Sequence, residues 1–248
     1  MPGVLAQDLS VPAHQQLLDA ASAAGAYAVY NVDDPNNRTL RTAGATDYVT
    51  GLADGLGNLP DVTESDESRQ FPVTTLANGR RVLINDGADI SNVRRLRAEF
   101  ASPLAQPLTV FTVLKWNGYT GTLRLFYGAT DSYSAGLYFW GGGDYRTVIL
   151  APAARAVDTN PLTTWFTFEV SYNNAAGSAS VNGADTYGHG SVGMAPLDGL
   201  TLGNEYGGGA EAFRGSIGHF IIFDSYKDVA SLAGLRGVIS ELYPIGAS

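Results

Sequence analysis

The chain has 248 residues and carries 15 Lys and Arg against 24 Asp and Glu, a formal net charge of −9. Lys115 and Lys227 are its only lysines and no basic block is present, so a nucleic-acid duplex or an anionic membrane surface is a poor partner. It has no cysteine, which excludes disulfides, thiol catalysis, zinc–cysteine sites and iron–sulfur clusters.

Hydrophobic residues make up 45% of the chain, enough for a sizeable core. No run of about 18 uncharged apolar residues suggests a membrane span. The first residues, Met1-Pro2-Gly3-Val4, have neither a basic nor an apolar leader region, so export by the ordinary signal is not expected. The sequon Asn37-Arg38-Thr39 then carries no glycosylation meaning.

Residues 1–25 read as an arm followed by a short helix. Ser10 suits the cap, Pro12 the first turn and Gly25 the end, around the helix formers Ala13–Ala24. Ala26–Tyr30 reads as a strand. Residues 33–72 are polar and rich in turn formers and read as long loops with short strands. Arg81–Ile84 centres another short strand. In Leu108–Trp116 the residues Leu108, Val110, Thr112, Leu114 and Trp116 share one face of a strand. Strands at 122–127, 137–140, 146–150 and 165–172 follow. Asn173–Gly177 reads as a hairpin loop and Asn182-Gly183 as a tight turn. Leu200–Leu202 and His219–Phe223 supply the last strands. Asp228 caps a closing helix in which Leu232, Leu235, Ile239 and Leu242 recur on one face, and Pro244 stops it. Glycine, at 30 residues, lies between short β-rich runs. The pattern predicts an all-β, antiparallel jelly-roll sandwich over 26–225, with a short N-terminal helix and a C-terminal helix.

Four strings in order carry a family likeness: Ala28–Pro35 with its Tyr and Asp-Pro, Asp54-Gly55-Leu56-Gly57-Asn58, Asn78–Asp89, and Gly215–Phe223 leading into the closing helix. Over roughly residues 26–245 the chain resembles the concanavalin A-like lectin/glucanase superfamily, and within it the laminin-G-like jelly-roll domains of bacterial and phage proteins. The N-terminal arm and helix have no counterpart in that pattern. The resemblance implies the fold and does not transfer a function. It implies calcium as the metal to consider, with Asp86, Asp89, Asp131 and Asp144 as ligands at the sandwich rim. No Asp-x-Asp-x-Asp-Gly loop exists, and calcium stays undecided; no other cofactor or metal is expected.

Catalytic signatures are weak. The glucanase string Glu-x-Asp-x-x-Glu has its nearest match in Glu64–Arg69, where the third carboxylate is misplaced and the stretch reads as a solvated loop. His14, His189 and His219 lack a second His at ligand spacing. His219 reads as a sandwich residue. Gly188–Ser191 reads as a flexible loop that breaks the Gly-x-Ser-x-Gly elbow. Gly141–Asp144 and Gly207–Ala210 read as turns. No enzymatic activity is therefore expected. The positive signal is aromatic. In Leu137-Tyr138-Phe139-Trp140 one face fills the core and the other suits stacking on sugar rings, so Tyr138, Trp140, Asp144, Tyr145 and Tyr206 are the candidate carbohydrate-binding residues.

The resemblance implies a structural protein of a phage particle, a head decoration or spike or a tail-associated protein, with a lectin-like module for host-surface glycans. On this reading the chain resides in the virion, assembled in the host cytoplasm. Residues 1–25 dock it to other virion proteins and 26–248 form the jelly roll. A homo-oligomer, for which a trimer is one geometry, supplies avidity; nucleic acid and membrane insertion are not expected. The alternative is a carbohydrate-binding module or a glycan-degrading enzyme of the same fold. A second alternative concerns the helix of 13–24, which either docks elsewhere or packs back on its own sandwich.

Overall fold

The computed structural model describes residues 11–85, 94–117, 122–129, 135–141, 145–151, 154–157, 163–174, 177–204 and 212–245. It contains helices α1 (Ala13–Ala23) and α2 (Ala233–Leu242) and seventeen antiparallel strands. The strands are β1 (Ala28–Asn31), β2 (Arg38–Ala43), β3 (Thr46–Leu52), β4 (Val62–Thr63), β5 (Phe71–Thr75), β6 (Arg81–Asn85), β7 (Leu96–Leu104), β8 (Leu108–Trp116) and β9 (Thr122–Tyr127), then β10 (Gly136–Gly141), β11 (Tyr145–Leu150), β12 (Ala154–Val157), β13 (Trp165–Tyr172), β14 (Gly177–Val181), β15 (Asp185–Gly190), β16 (Leu197–Leu202) and β17 (Gly215–Phe223). Among the described residues no helix is long and apolar enough to cross a membrane.

The strands form two facing layers. In the first, β1 and β6 lie along one edge of β17, and β8, β13, β14 and β15 follow on its other side. In the second, β2 pairs with β3, β3 with β4, β4 with β7, and β16, β9, β10, β11 and β12 continue the sheet. Strand β5 joins the layers, pairing with β3 in one and β6 in the other. The all-β antiparallel sandwich with a helix near each end is as the alternation and helical spacing predict. Within 33–72, read as long loops with short strands, residues 38–52 form the continuous β2–β3 hairpin. Cross-strand pairing there overrides the low strand propensity of its Asp, Gly and Ala residues.

The main core lies between the layers. Leu108, Val110, Leu114 and Trp116 of β8 point into it, the face that the period of two assigns to them. Phe126 meets Phe220 edge-on at 5.1 Å, and the Tyr172 hydroxyl donates to the Gly136 carbonyl at 2.6 Å, which removes the penalty of burying a phenol. The residues between, Phe111 and Val113, point to the other side. There they meet Leu17 and Ala21 of α1 and Leu235, Ile239 and Leu242 of α2 in a second cluster.

Both helices therefore cover the outer face of the first layer. Helix α1 ends in a Schellman arrangement: the Gly25 N–H reaches the Ser22 carbonyl at 2.8 Å and the Ala26 N–H the Ala21 carbonyl at 2.9 Å. Gly25 holds the φ of +76° that this geometry needs. Of the two placements open for this helix, residues 13–23 pack on their own sandwich. The Asn182-Gly183 turn also forms, with φ of +52° and +67° and a 3.0 Å closing bond from the Ala184 N–H to the Val181 carbonyl.

Candidate functional site

With both helices on the first layer, no described helix packs on the outer face of the second. A row of residues crosses that face in register: Gly51 opposite Thr63, Thr63 opposite Arg97, and Arg97 opposite Thr201. The flanking row, Leu52, Val62, Leu96 and Leu202, lies in the core. The pleat therefore turns Thr63, Arg97 and Thr201 outward. Thr201 is buried, its hydroxyl donating to the Gly128 carbonyl at 3.1 Å.

Beside this row lies a polar groove of about 320 Å³, lined by Thr63, Glu64, Ser65, Arg97, Ala98 and Glu99. Glu99 is exposed and Arg97 half-buried. Glu64 is only 4% exposed. Its Oε2 accepts from Arg95 Nε at 2.7 Å and its Oε1 from the Asp66 N–H at 3.0 Å. The Gln70 side-chain amide donates to the Glu64 carbonyl at 3.0 Å. Next to it, the Ser68 hydroxyl and N–H donate to Asp66 Oδ1 and hold that carboxyl below the usual range. In Glu64–Arg69, read as a solvated loop, residues 65–68 are exposed as expected, and Glu64 is the exception. It is a buried, ion-paired carboxylate, because β4 brings Glu64 beside Arg95, 31 residues along the chain. Arg97, Glu99, Thr63 and Ser65 give the groove a polar lining, while the Glu64 carboxylate is engaged by Arg95 and the Asp66 N–H.

The predicted aromatic residues lie partly on the same layer. Tyr138 and Trp140 are on β10, where Tyr138 is opposite Arg124 and Val148, and Trp140 opposite Thr122 and Arg146. Tyr145 begins β11. Asp144 and Tyr206 lie outside the described residues, as do the calcium candidates Asp86, Asp89, Asp131 and Asp144. Among the described residues no group of three or more His, Asp or Glu is placed to hold a metal ion. Gly188–Gly190, read as a flexible loop, belongs to strand β15, paired with β14.

Sequence reasoning passed over Arg97 and Glu99. The signal was present: Leu96, Ala98 and Phe100 alternate with Arg97 and Glu99, the signature of a half-buried strand, and Leu96 and Phe100 are core residues.

A second cavity, of about 460 Å³, lies on the helix-covered side, between Leu76, Asn78, Trp165, Glu241, Tyr243 and neighbouring residues. Its aromatic rings are committed to packing. Trp165 and Tyr243 lie 4.9 Å apart and are 6% and 1% exposed. Under them, His219 of β17 meets Tyr243 edge-on at 5.2 Å. His219 is a sandwich residue, as expected, and burial lowers its pKa to about 3.

No protein-family model matches the chain, and no curated protein matches it in sequence. Solved structures match in fold. Domain 4 of AbnA, an extracellular GH43 arabinanase from Geobacillus stearothermophilus solved with arabinotriose, superposes with a TM-score of 0.62 at 16% identity, over 85% of this chain and 98% of that one. An arabinofuranosidase complexed with arabinofuranosyl-α-1,2-xylobiose gives 0.65 at 13% identity, over 90% of this chain and 64% of that one. The botulinum neurotoxin serotype D ligand-binding domain in complex with N-acetylneuraminic acid gives 0.58 at 13% identity, over 88% and 52%. The chain thus spans nearly all of the arabinanase domain, but less than two thirds of the arabinofuranosidase chain and about half of the toxin domain.

These matches correct one expectation. Enzymatic activity was excluded because the Glu-x-Asp-x-x-Glu string and the nucleophile elbow are missing, yet the fold occurs in chains of glycoside hydrolases that match this one over 90% of its length. The missing string rules out one arrangement of carboxylates, not hydrolysis. Acidic residues distant in sequence can converge, as Glu64 and Glu99 do in lining the groove. What the chain shares with these structures is an antiparallel β-sandwich fold.

Proposed function

We propose that the domain recognises carbohydrate in the groove on the outer face of the second layer. The observation that carries this reading is the convergence of Arg97, Glu99, Glu64, Thr63 and Ser65 on one polar groove beside an outward-turned sheet row. Neighbours in fold solved with arabinotriose, a substituted xylobiose and N-acetylneuraminic acid support it. Arabinotriose is the first probe. Arg97→Ala and Glu99→Gln are each expected to weaken its binding about 10-fold or more, since a hydrogen bond to a charged group contributes roughly 1.5–3 kcal/mol. Titration calorimetry checks this. Binding that is absent for arabinotriose and a wider panel of neutral glycans, or unchanged in both variants, overturns the reading.

A second reading, hydrolysis of a glycan at the same groove, is favoured by the two Glu residues, Glu64 and Glu99, among those lining it, since acid and nucleophile or base roles need a pair of carboxyl groups. Release of reducing ends from arabinan that is lost in both Glu64→Gln and Glu99→Gln supports it; no release from any glycan that binds counts against it.

For the setting of the module we propose a phage particle, with the segment before α1 docking it there, most simply as a symmetric oligomer, a trimer being one geometry. The family resemblance supports this, together with Leu5 and Leu9 in that segment. Because Leu17 and Ala21 belong to the second core cluster, deleting residues 1–25 would disturb folding, whereas a chain starting at Val11 tests docking alone. That shortened chain is expected to melt at the same temperature and to leave the particle. Full incorporation into particles would sink the proposal.

A further inference from the structure

Three groups cluster on the β2–β3 hairpin beside the groove. Arg41 and Tyr48 are cross-strand partners, with the Arg41 guanidinium carbon 4.8 Å from the Tyr48 ring centroid and that of Arg94 at 6.0 Å. Neutral groups position both guanidiniums. Arg94 Nη1 donates to the carbonyls of Ser68 at 3.1 Å and Gln70 at 2.6 Å. Arg41 Nε donates to the Gln70 side-chain oxygen at 2.8 Å. The carboxylate at this cluster is Glu67, 3.4 Å from Arg41 Nη1 and with its side chain 71% exposed. Arg94 makes no ion pair with any described residue.

Gln70, 2% exposed, is the hub. Its oxygen takes the Arg41 bond while its nitrogen donates to the Glu64 carbonyl, so the cluster is tied rigidly to the wall of the groove. In a chain of net charge −9, two fixed guanidiniums at one ring, opposed among the described residues by a single exposed carboxylate, form a local site for an anion. Each guanidinium keeps N–H groups that these bonds do not use, and the Tyr48 ring offers an apolar surface for a sugar ring.

We infer that Arg41, Tyr48 and Arg94 form a subsite for the carboxylate of an acidic sugar, a uronic or a sialic acid, adjoining the neutral-sugar groove. The inference rests on the carbohydrate reading. Its test is calorimetry with three matched oligosaccharides: arabinotriose, the same chain capped with glucuronate, and the same chain capped with N-acetylneuraminate. At least one acidic ligand is expected to bind about 10-fold or more tighter than the neutral one at low salt, an advantage that shrinks as salt rises. Arg41→Gln and Arg94→Gln should abolish the advantage and leave neutral binding unchanged. Melting curves confirm folding, and Arg94→Lys, which keeps the charge without the fork, should retain only part of the advantage. Equal binding of acidic and neutral ligands, or an advantage that survives both Gln variants, overturns the subsite while leaving the groove. Loss of all binding, neutral included, overturns both readings.

Discussion

Acidification from pH 7 to pH 4 is expected to remove about 3 kcal/mol of stability through His219 alone. The ring is buried on β17 under Tyr243, and burial, with Arg80 adding to it and Asp33 opposing it, holds its pKa near 3 against an ordinary 6.5. The sign follows from proton binding. Between about pH 6.5 and pH 3 the unfolded chain takes up a proton on this imidazole and the folded chain does not, so stability falls as the pH drops through that window. The slope approaches 1.4 kcal/mol per pH unit, one proton's worth. Carboxylates titrate in the same range, so the comparison must be with His219→Phe, which keeps the ring shape against Tyr243 and removes the titration. The variant is expected to show a shallower stability–pH profile by that slope in urea unfolding at pH 7, 6, 5 and 4. Parallel profiles for variant and parent would refute the assignment. Neither ring nitrogen of His219 has a hydrogen-bond partner among the described residues. Its replacement by an apolar ring therefore breaks no bond seen here at pH 7.

The ion pair under the groove is the second large effect. Glu64 and Arg95 side chains are 3% and 4% exposed and meet at 2.7 Å. Glu64→Ala takes the carboxylate away from a guanidinium that stays out of water, which costs about 3–5 kcal/mol when one partner of a buried pair is removed. Glu64→Gln keeps an acceptor for the Asp66 N–H and should cost less. In the double variant Glu64→Leu/Arg95→Leu the buried charge is gone, and much of the loss should return. Chemical denaturation of the four proteins checks this. A cost within 1 kcal/mol for Glu64→Ala would mean that the pair is reached by water and does not set the wall of the groove.

The elements that could be read along the chain are those whose signal is local. The period of two in β8 identified Leu108, Val110, Leu114 and Trp116 as core residues, and the three-and-four spacing of Leu232, Leu235, Ile239 and Leu242 marked the buried face of α2 together with the turn before it. Asp54 is another case. The Asp-x-x-Gly-Asn string is a loop-building device, in which the carboxylate accepts from the N–H groups of Val29, Leu56, Asn58 and Leu59. The β2–β3 hairpin was harder to read, because its burial comes from β5 and β4 laid against it and not from its own composition.

The chain by itself determined the fold class, the two helices, the tight turns and the absence of any cysteine chemistry, because strand period, cap residues and composition act over a few neighbouring residues. Only the tertiary structure decided which sheet face is left open and what stands on it. Helices α1 and α2 both settle on the first layer, since the second cluster there offers the apolar surface that their stripes need. That choice leaves the outer face of the second layer without a described helix. The register of β4 against β7 then sets Glu64 beside Arg95 and Arg97 opposite Thr63, and Gln70 links Arg41 to that wall. Apart from the Gln70–Glu64 bond, these contacts join residues about 30 positions apart, and long-range pairing of this kind leaves no periodic trace in sequence, because it depends on how strands align and not on what either strand contains.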